Sequence, residues 1–177
     1  MACGHHHHHH CCCCADNGVV RMNPIVRISS KANEYYSLSI RNGHVVLAPT
    51  DVYDDYQLWF KVDKYSNSVR DRTGLPSFAL VNKATGLAIR HSFGSKQPVQ
   101  VTEYDHHNFD ETVLWSEKHI CGGFNCIRMV NNIRLNFDAL NGNPGNGGSI
   151  YDGTPLVLWE WHHGDNQLWR IVPFYTD

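Results

Sequence analysis

The chain has 177 residues, of which 42% are hydrophobic and 18% charged, with a formal net charge of −2. That is enough chain and apolar content for one domain with a core. There is no basic excess to draw nucleic acid or an anionic membrane surface, and no run of 18 apolar residues to span a bilayer, so neither nucleic-acid binding nor membrane insertion is expected.

The chain opens with a low-complexity tail in which His5 to His10 are followed by Cys11 to Cys14. A homopolymer dictates no ligand spacing, so it chelates loosely and defines no tetrahedral site. Residues 1–22 are expected to be disordered, whether as an affinity tag or a native extension, with residues 23–177 forming the domain. The start lacks the apolar core of a secretory signal, and no Asn-x-Ser/Thr sequon occurs. Both absences favour the cytosol or nucleus, where thiols stay reduced. Cys121 and Cys126 are close enough across Gly122-Gly123 to close a small disulfide, and the compartment argues for two free thiols instead.

From Ile25 onward, short apolar stretches alternate with turn signals. Ile25 to Ile28, Tyr36 to Ile40, Val45 to Leu47 and Phe78 to Val81 read as strands. Arg41-Asn42-Gly43, Arg72-Thr73-Gly74, Ala84-Thr85-Gly86, Gly122-Gly123 and Asn141 to Gly145 read as turns. No window sustains a helical apolar period over three turns, so the chain is all-β.

Self-similarity organises these strands. Trp59, Trp115 and Trp169 are separated by 56 and 54 residues. Each follows a related passage: Tyr56-Gln57-Leu58, Thr112-Val113-Leu114 and Asn166-Gln167-Leu168. Upstream strands match in threes: Val45 to Leu47 with Val99 to Val101 and Leu156 to Leu158, then Leu38 to Ile40 with Leu87 to Ile89 and Leu135 to Phe137. Three copies of roughly four strands predict about twelve strands. One such unit cannot bury its own apolar face, and threefold closure removes exposed sheet edges. The expected fold is a β-trefoil, with the three repeat-ending tryptophans in a shared core.

Gln-x-Trp in a chain of this length resembles the ricin-B type of lectin. Longer stretches are more specific. Ala79 to Gly86, Cys126 to Phe137, and Val157 to Trp161 through Gly164 to Gln167 resemble the Euonymus lectin family of plants. The resemblance covers about residues 25 to 175. It implies a single β-trefoil that binds mannose- or galactose-containing glycans or glycoproteins, a nucleocytoplasmic location, and a link to stress responses.

The resemblance also implies a recipe for each pocket: an early Asp, an aromatic on the strand before the last, and an Asn before Gln-x-Trp. A sugar offers a weakly apolar C–H face for an aromatic ring and a hydroxyl rim for carboxylate and amide groups. The first repeat places Ala48 and Tyr56 where the aromatic and the Asn belong. The second places Thr102 there, with Thr112 and Val113 for Asn and Gln. The third has Trp159, Asn166 and Gln167, so one site per chain is expected. Asp138 is the leading match for the early Asp, with Asp152 and Asn136 as rivals, and Trp161 is a neighbour or second platform. Gln167 also has a structural reading, capping its turn through backbone bonds.

Other chemistry is weakly represented. His162 and His163 are adjacent at a strand end and point apart, which disfavours a shared metal ion, and no cofactor is expected. No nucleophile–base arrangement is present, and Asp54-Asp55 and Asp110-Glu111 are sequence neighbours that diverge rather than flank a bond. The chain therefore reads as a non-enzyme. The alternative to a lectin is a protein-binding β-trefoil, an inhibitor or scaffold. A weak homo-oligomer is compatible with either.

Overall fold

A computed structural model describes residues 20–175; the His/Cys-rich run lies outside the described residues. Twelve strands form one sheet system. They are β1 (Ile25–Ser30), β2 (Asn33–Arg41), β3 (His44–Pro49), β4 (Trp59–Val62), β5 (Ser77–Asn82), β6 (Leu87–Arg90), β7 (Gln100–Glu103), β8 (Trp115–Cys121), β9 (Phe124–Met129), β10 (Asn132–Ala139), β11 (Thr154–Glu160) and β12 (Trp169–Pro173). The four-per-repeat reading matches this order.

Antiparallel pairing runs β1–β4–β5–β8–β9–β12 and returns to β1, closing a barrel. The remaining strands form three hairpins, β2–β3, β6–β7 and β10–β11. The first of these turns at Asn42-Gly43, where φ is 52° and 75°. Only residues that tolerate left-handed backbone suit such a tight hairpin turn. The hairpins also meet one another: β11 pairs with β3, and Pro98 bridges Val157. This is the β-trefoil.

Trp59, Trp115 and Trp169 are each 0% exposed. Each opens the last strand of its repeat, and each donates its indole N–H to an equivalent carbonyl: Leu38 at 3.0 Å, Ile89 at 3.1 Å and Phe137 at 3.0 Å. A buried indole needs that acceptor, and the repeated bond ties the last strand of each repeat to that repeat's hairpin. Phe137 stands edge-on between Trp115 and Trp169, with centroids 4.6 Å and 6.1 Å away. A second, smaller cluster around Phe60, Val81, Leu114 and Val130 includes Val20 at its margin. Cys121 is exposed, Cys126 is buried, and both are free thiols. No described helix is long and apolar enough to cross a membrane.

Candidate functional site

The indole bonds define which residues correspond between repeats. Phe137 matches Leu38 and Ile89, so Asp138 matches Ser39 in the first repeat and Arg90 in the second. By the hairpin registers, Trp159 matches Ala48 and Thr102. A single 3-10 turn precedes each core tryptophan: Asp55–Gln57, Glu111–Val113 and Asp165–Gln167. Asn166 thus falls opposite Tyr56 and Thr112.

Gln167 does what Gln57 does and more. Gln57 accepts from the Asp51 N–H at 2.9 Å and donates to the Pro49 carbonyl at 2.9 Å. Gln167 accepts from the His162 N–H at 2.9 Å and donates to the Glu160 carbonyl at 2.9 Å. These bonds hold the turn against the end of the hairpin. In the third repeat the same amide also donates to Asp138 Oδ2 at 3.0 Å.

Asp138 is 2% exposed and collects three side-chain donors. Besides Gln167, Asn166 Nδ2 donates to Oδ1 at 3.1 Å, and His162 Nε2 stands 3.1 Å from Oδ2. His162 Nδ1 accepts from the Gly164 N–H at 3.1 Å, so the neutral ring carries its proton on Nε2 and donates it to Asp138. Burial pushes the Asp138 carboxyl above its ordinary value of 3.8; the hydrogen bond and charge of His162 and the Gln167 hydrogen bond offset this only in part. Asn166 Nδ2 also donates to the Ala139 carbonyl at 3.0 Å, while its Oδ1 is buried without a hydrogen-bond partner in the protein.

The turn itself shows what the site costs. Asp54 and Asp110 cap the first two turns, accepting from the N–H of Tyr56 and Thr112. The third turn has Gly164 in that place and no side-chain cap. A Cβ at Gly164 would lie 2.5 Å from both Asn166 Oδ1 and His162 Cε1. The side-chain cap is absent where His162 and Asn166 occupy its space, and with glycine at that position the loss is only roughly a few tenths of a kcal/mol.

Above this cluster is an open cleft of about 450 Å³, lined by Asp138, Trp159, His162, Asn166 and the loop bearing Asn141, Asn143, Asn146, Gly147 and Gly148. Trp159, the penultimate residue of β11, is partly exposed. Its neighbours come from another repeat: the Lys96 N–H donates to the Leu158 carbonyl, and Lys96 Nζ lies 5.2 Å from the Trp159 ring centroid.

Of the residues singled out in the sequence, Asp138, Trp159 and Asn166 line one cleft, and Gln167 lies directly behind it. Asp152 is elsewhere, exposed and ion-paired with Arg41 at 2.7 Å. Trp161 lies beyond the end of β11, partly exposed, with its indole N–H on His163 Nδ1 at 3.0 Å. Asn136 is buried and donates to the Arg134 and Trp159 carbonyls. From the sequence, His162 reads only as a metal ligand, and neither Lys96 nor the Asn141-to-Gly148 loop is expected at the site. The Asn-rich composition of that loop was a usable signal. Lys96 had none, since it belongs to a different repeat. Among the described residues no group of three or more metal-ligating side chains occurs.

No protein-family model matches the chain. Its relatives are clear nonetheless. It is 52% identical over 153 residues to ricin B-like lectin R40G3 of Oryza sativa subsp. japonica, covering 86% of this chain and 74% of that protein. It is 53% identical over 150 residues to ricin B-like lectin EULS3 of Arabidopsis thaliana, covering 84% of this chain but 47% of that protein. Among solved structures, the designed threefold-symmetric protein ThreeFoil superposes with a TM-score of 0.65 at 18% identity, covering 85% of this chain and 99% of ThreeFoil. The Macrolepiota procera ricin B-like lectin in complex with lactose gives 0.61 at 16% identity, covering 84% of this chain and 94% of that one. These two superpositions bear on the fold, while the sequence identities carry the relationship. The chain belongs to the ricin B-like lectin family.

Proposed function

We propose that this chain binds mannose- or galactose-bearing glycans through one site, the third-repeat cleft, and that it acts by binding rather than by catalysis. The observation that carries the reading is the convergence of a partly exposed indole, Trp159, with a buried carboxylate and amide, Asp138 and Asn166, on one cleft. The first-repeat counterpart has Ser39 and Ala48 in place of Asp138 and Trp159.

The chemistry follows from the unused valences. Asp138 Oδ1 accepts from one side-chain donor and has a lone pair to spare, and Asn166 Oδ1 has no partner. Both are acceptors; Asp138 Oδ1 suits a sugar hydroxyl that donates, and Asn166 Oδ1, shielded from solvent, does so once its turn yields. Trp159 stacks under the C–H face of the ring. The loop bearing Asn141, Asn143 and Asn146 supplies amides that both donate and accept at the rim.

An open cleft with one stacked face and a few hydrogen bonds gives affinity of millimolar to high micromolar order, roughly 4 to 6 kcal/mol. Useful avidity then needs multivalent glycans or self-association. The cytoplasmic and nuclear location and the stress role rest on the family resemblance; a fluorescent fusion in plant cells tests the first.

A glycan array followed by calorimetry on the ligands it identifies tests the reading. Binding that disappears in Trp159→Ala supports it. Absence of any glycan binding at high protein concentration removes it and leaves a protein-binding trefoil.

A further inference from the structure

The connection from β4 to β5 contains Arg70-Asp71-Arg72, and its central residue turns inward. Asp71 is 4% exposed and accepts from Arg128 at 2.8 Å, Ser116 Oγ at 2.6 Å, the Thr73 hydroxyl at 2.6 Å, and the N–H groups of Thr73 and Leu75. Its charge is spent in the interior. Its flanking arginines emerge on the outside, where both line a cleft of about 570 Å³. Arg134 of β10 lines the same cleft, with Asn131 and Asn132 at the β9–β10 turn.

Charge here is one-sided. Glu111 is the one carboxylate among the lining residues, so three guanidiniums face one acid on a chain whose net charge is −2. Among the described residues, none of these three arginines has an ion-pair partner within 4.0 Å. Arg70 donates to the Gly74 carbonyl at 3.0 Å, which fixes its head beside the cleft. The loop is held by bonds from the Val69 N–H to Tyr65, the Asp71 N–H to Leu75 and the Gly74 N–H to Asp71. Three guanidinium forks lining one space offer paired N–H donors that match the oxygens of a tetrahedral oxyanion.

We propose that this cleft is an anion site that takes a sulfate or phosphate ester. It is separate from the carbohydrate cleft. The two clefts share no lining residue. The assignment therefore stands or falls independently of the sugar reading.

The test is an NMR titration of the whole chain with sodium sulfate and sodium phosphate, against sodium chloride at matched ionic strength. Saturable shifts should centre on Arg70, Arg72 and Asn131 to Arg134. The double variant Arg72→Gln/Arg134→Gln, at two exposed positions, should bind at least about tenfold more weakly. Glu111→Gln should bind more tightly, and Trp159→Ala should leave the anion response unchanged. Shifts that follow ionic strength alone, or a double variant that responds like the parent, overturn the site. A 6-sulfated or 6-phosphorylated hexose binding as tightly as the free ion to the Trp159→Ala chain supports the ester. Weaker binding than the free ion overturns that part of the assignment.

Discussion

His162 Nε2 stands 3.1 Å from Oδ2 of Asp138, so the buried carboxylate beneath the cleft is covered by an imidazole held from behind by the Gly164 N–H. The two side chains come from different strands' ends, and their contact couples the turn before β12 to the end of β10. The pair makes the acidic limb of binding the first thing to measure.

Asp138 and Asp71 respond to acid with opposite signs. Burial holds the Asp138 carboxyl above its ordinary 3.8 in the fold, so its protonated form stabilises the domain below 3.8, and that contribution is lost as pH rises through the folded value. Burial alone would raise Asp71 too, but hydrogen bonds from Ser116, Thr73 and Leu75 hold it well below the ordinary range. Its contribution is present above 3.8 and is lost as pH falls through the lower folded value. Acidification should therefore neutralise Asp138 while Asp71 is still charged. Glycan affinity is expected to fall at a pH above 3.8 at which near-ultraviolet circular dichroism is still native. Simultaneous loss of affinity and dichroism would contradict the assignment of Asp138.

Trp159→Ala and Trp115→Ala should separate site from core. Trp159 is partly exposed at the cleft, and its loss should abolish glycan binding with little change in unfolding midpoint. Trp115 is 0% exposed, and its truncation should cost about 3 to 5 kcal/mol with binding kept in whatever fraction folds. Denaturant titration beside calorimetry checks both.

Gln167→Ala and Gln57→Ala remove the same backbone bonds in two repeats. Each should destabilise by about 1 to 3 kcal/mol, because buried backbone groups lose their partners. Only Gln167 also reaches Asp138, so only Gln167→Ala should weaken glycan binding. Equal affinities in the two variants would assign Gln167 to structure alone.

Gly164→Ala is a steric test of the site. Residue 164 has φ −74° and ψ 149°, which any residue adopts, so the backbone is not strained. The new methyl meets Asn166 Oδ1 and His162 instead. Affinity should drop by about tenfold or more, as one displaced charged hydrogen bond implies, while the thermal midpoint shifts little. The reverse pattern would mean that the turn, and not the cleft, needs the glycine.

The fold and part of the candidate site were legible in the residues for a physical reason. Alternating apolar residues and Asn-Gly turns are local signals, and the spacing of Trp59, Trp115 and Trp169 exposed the threefold plan because each indole fills the same place. Comparing repeats then isolated Trp159, Asn166 and Gln167, since a repeated scaffold makes departures from it visible. The choice among Asp138, Asp152 and Asn136 was not local. Residues of β10 and β11 are brought together by a register that pairs Asp138 with Val157, across a hairpin whose long loop hides the spacing. That register puts Asp138 under the cleft, sends Asp152 to Arg41, and turns Asn136 onto backbone carbonyls. Likewise, Lys96 meets Trp159 only because neighbouring repeats share an edge at Pro98 and Val157. Periodicity along the chain determined the architecture; convergence of side chains from separate strands and repeats required closure of the trefoil, because it depends on distances that no sequence interval encodes.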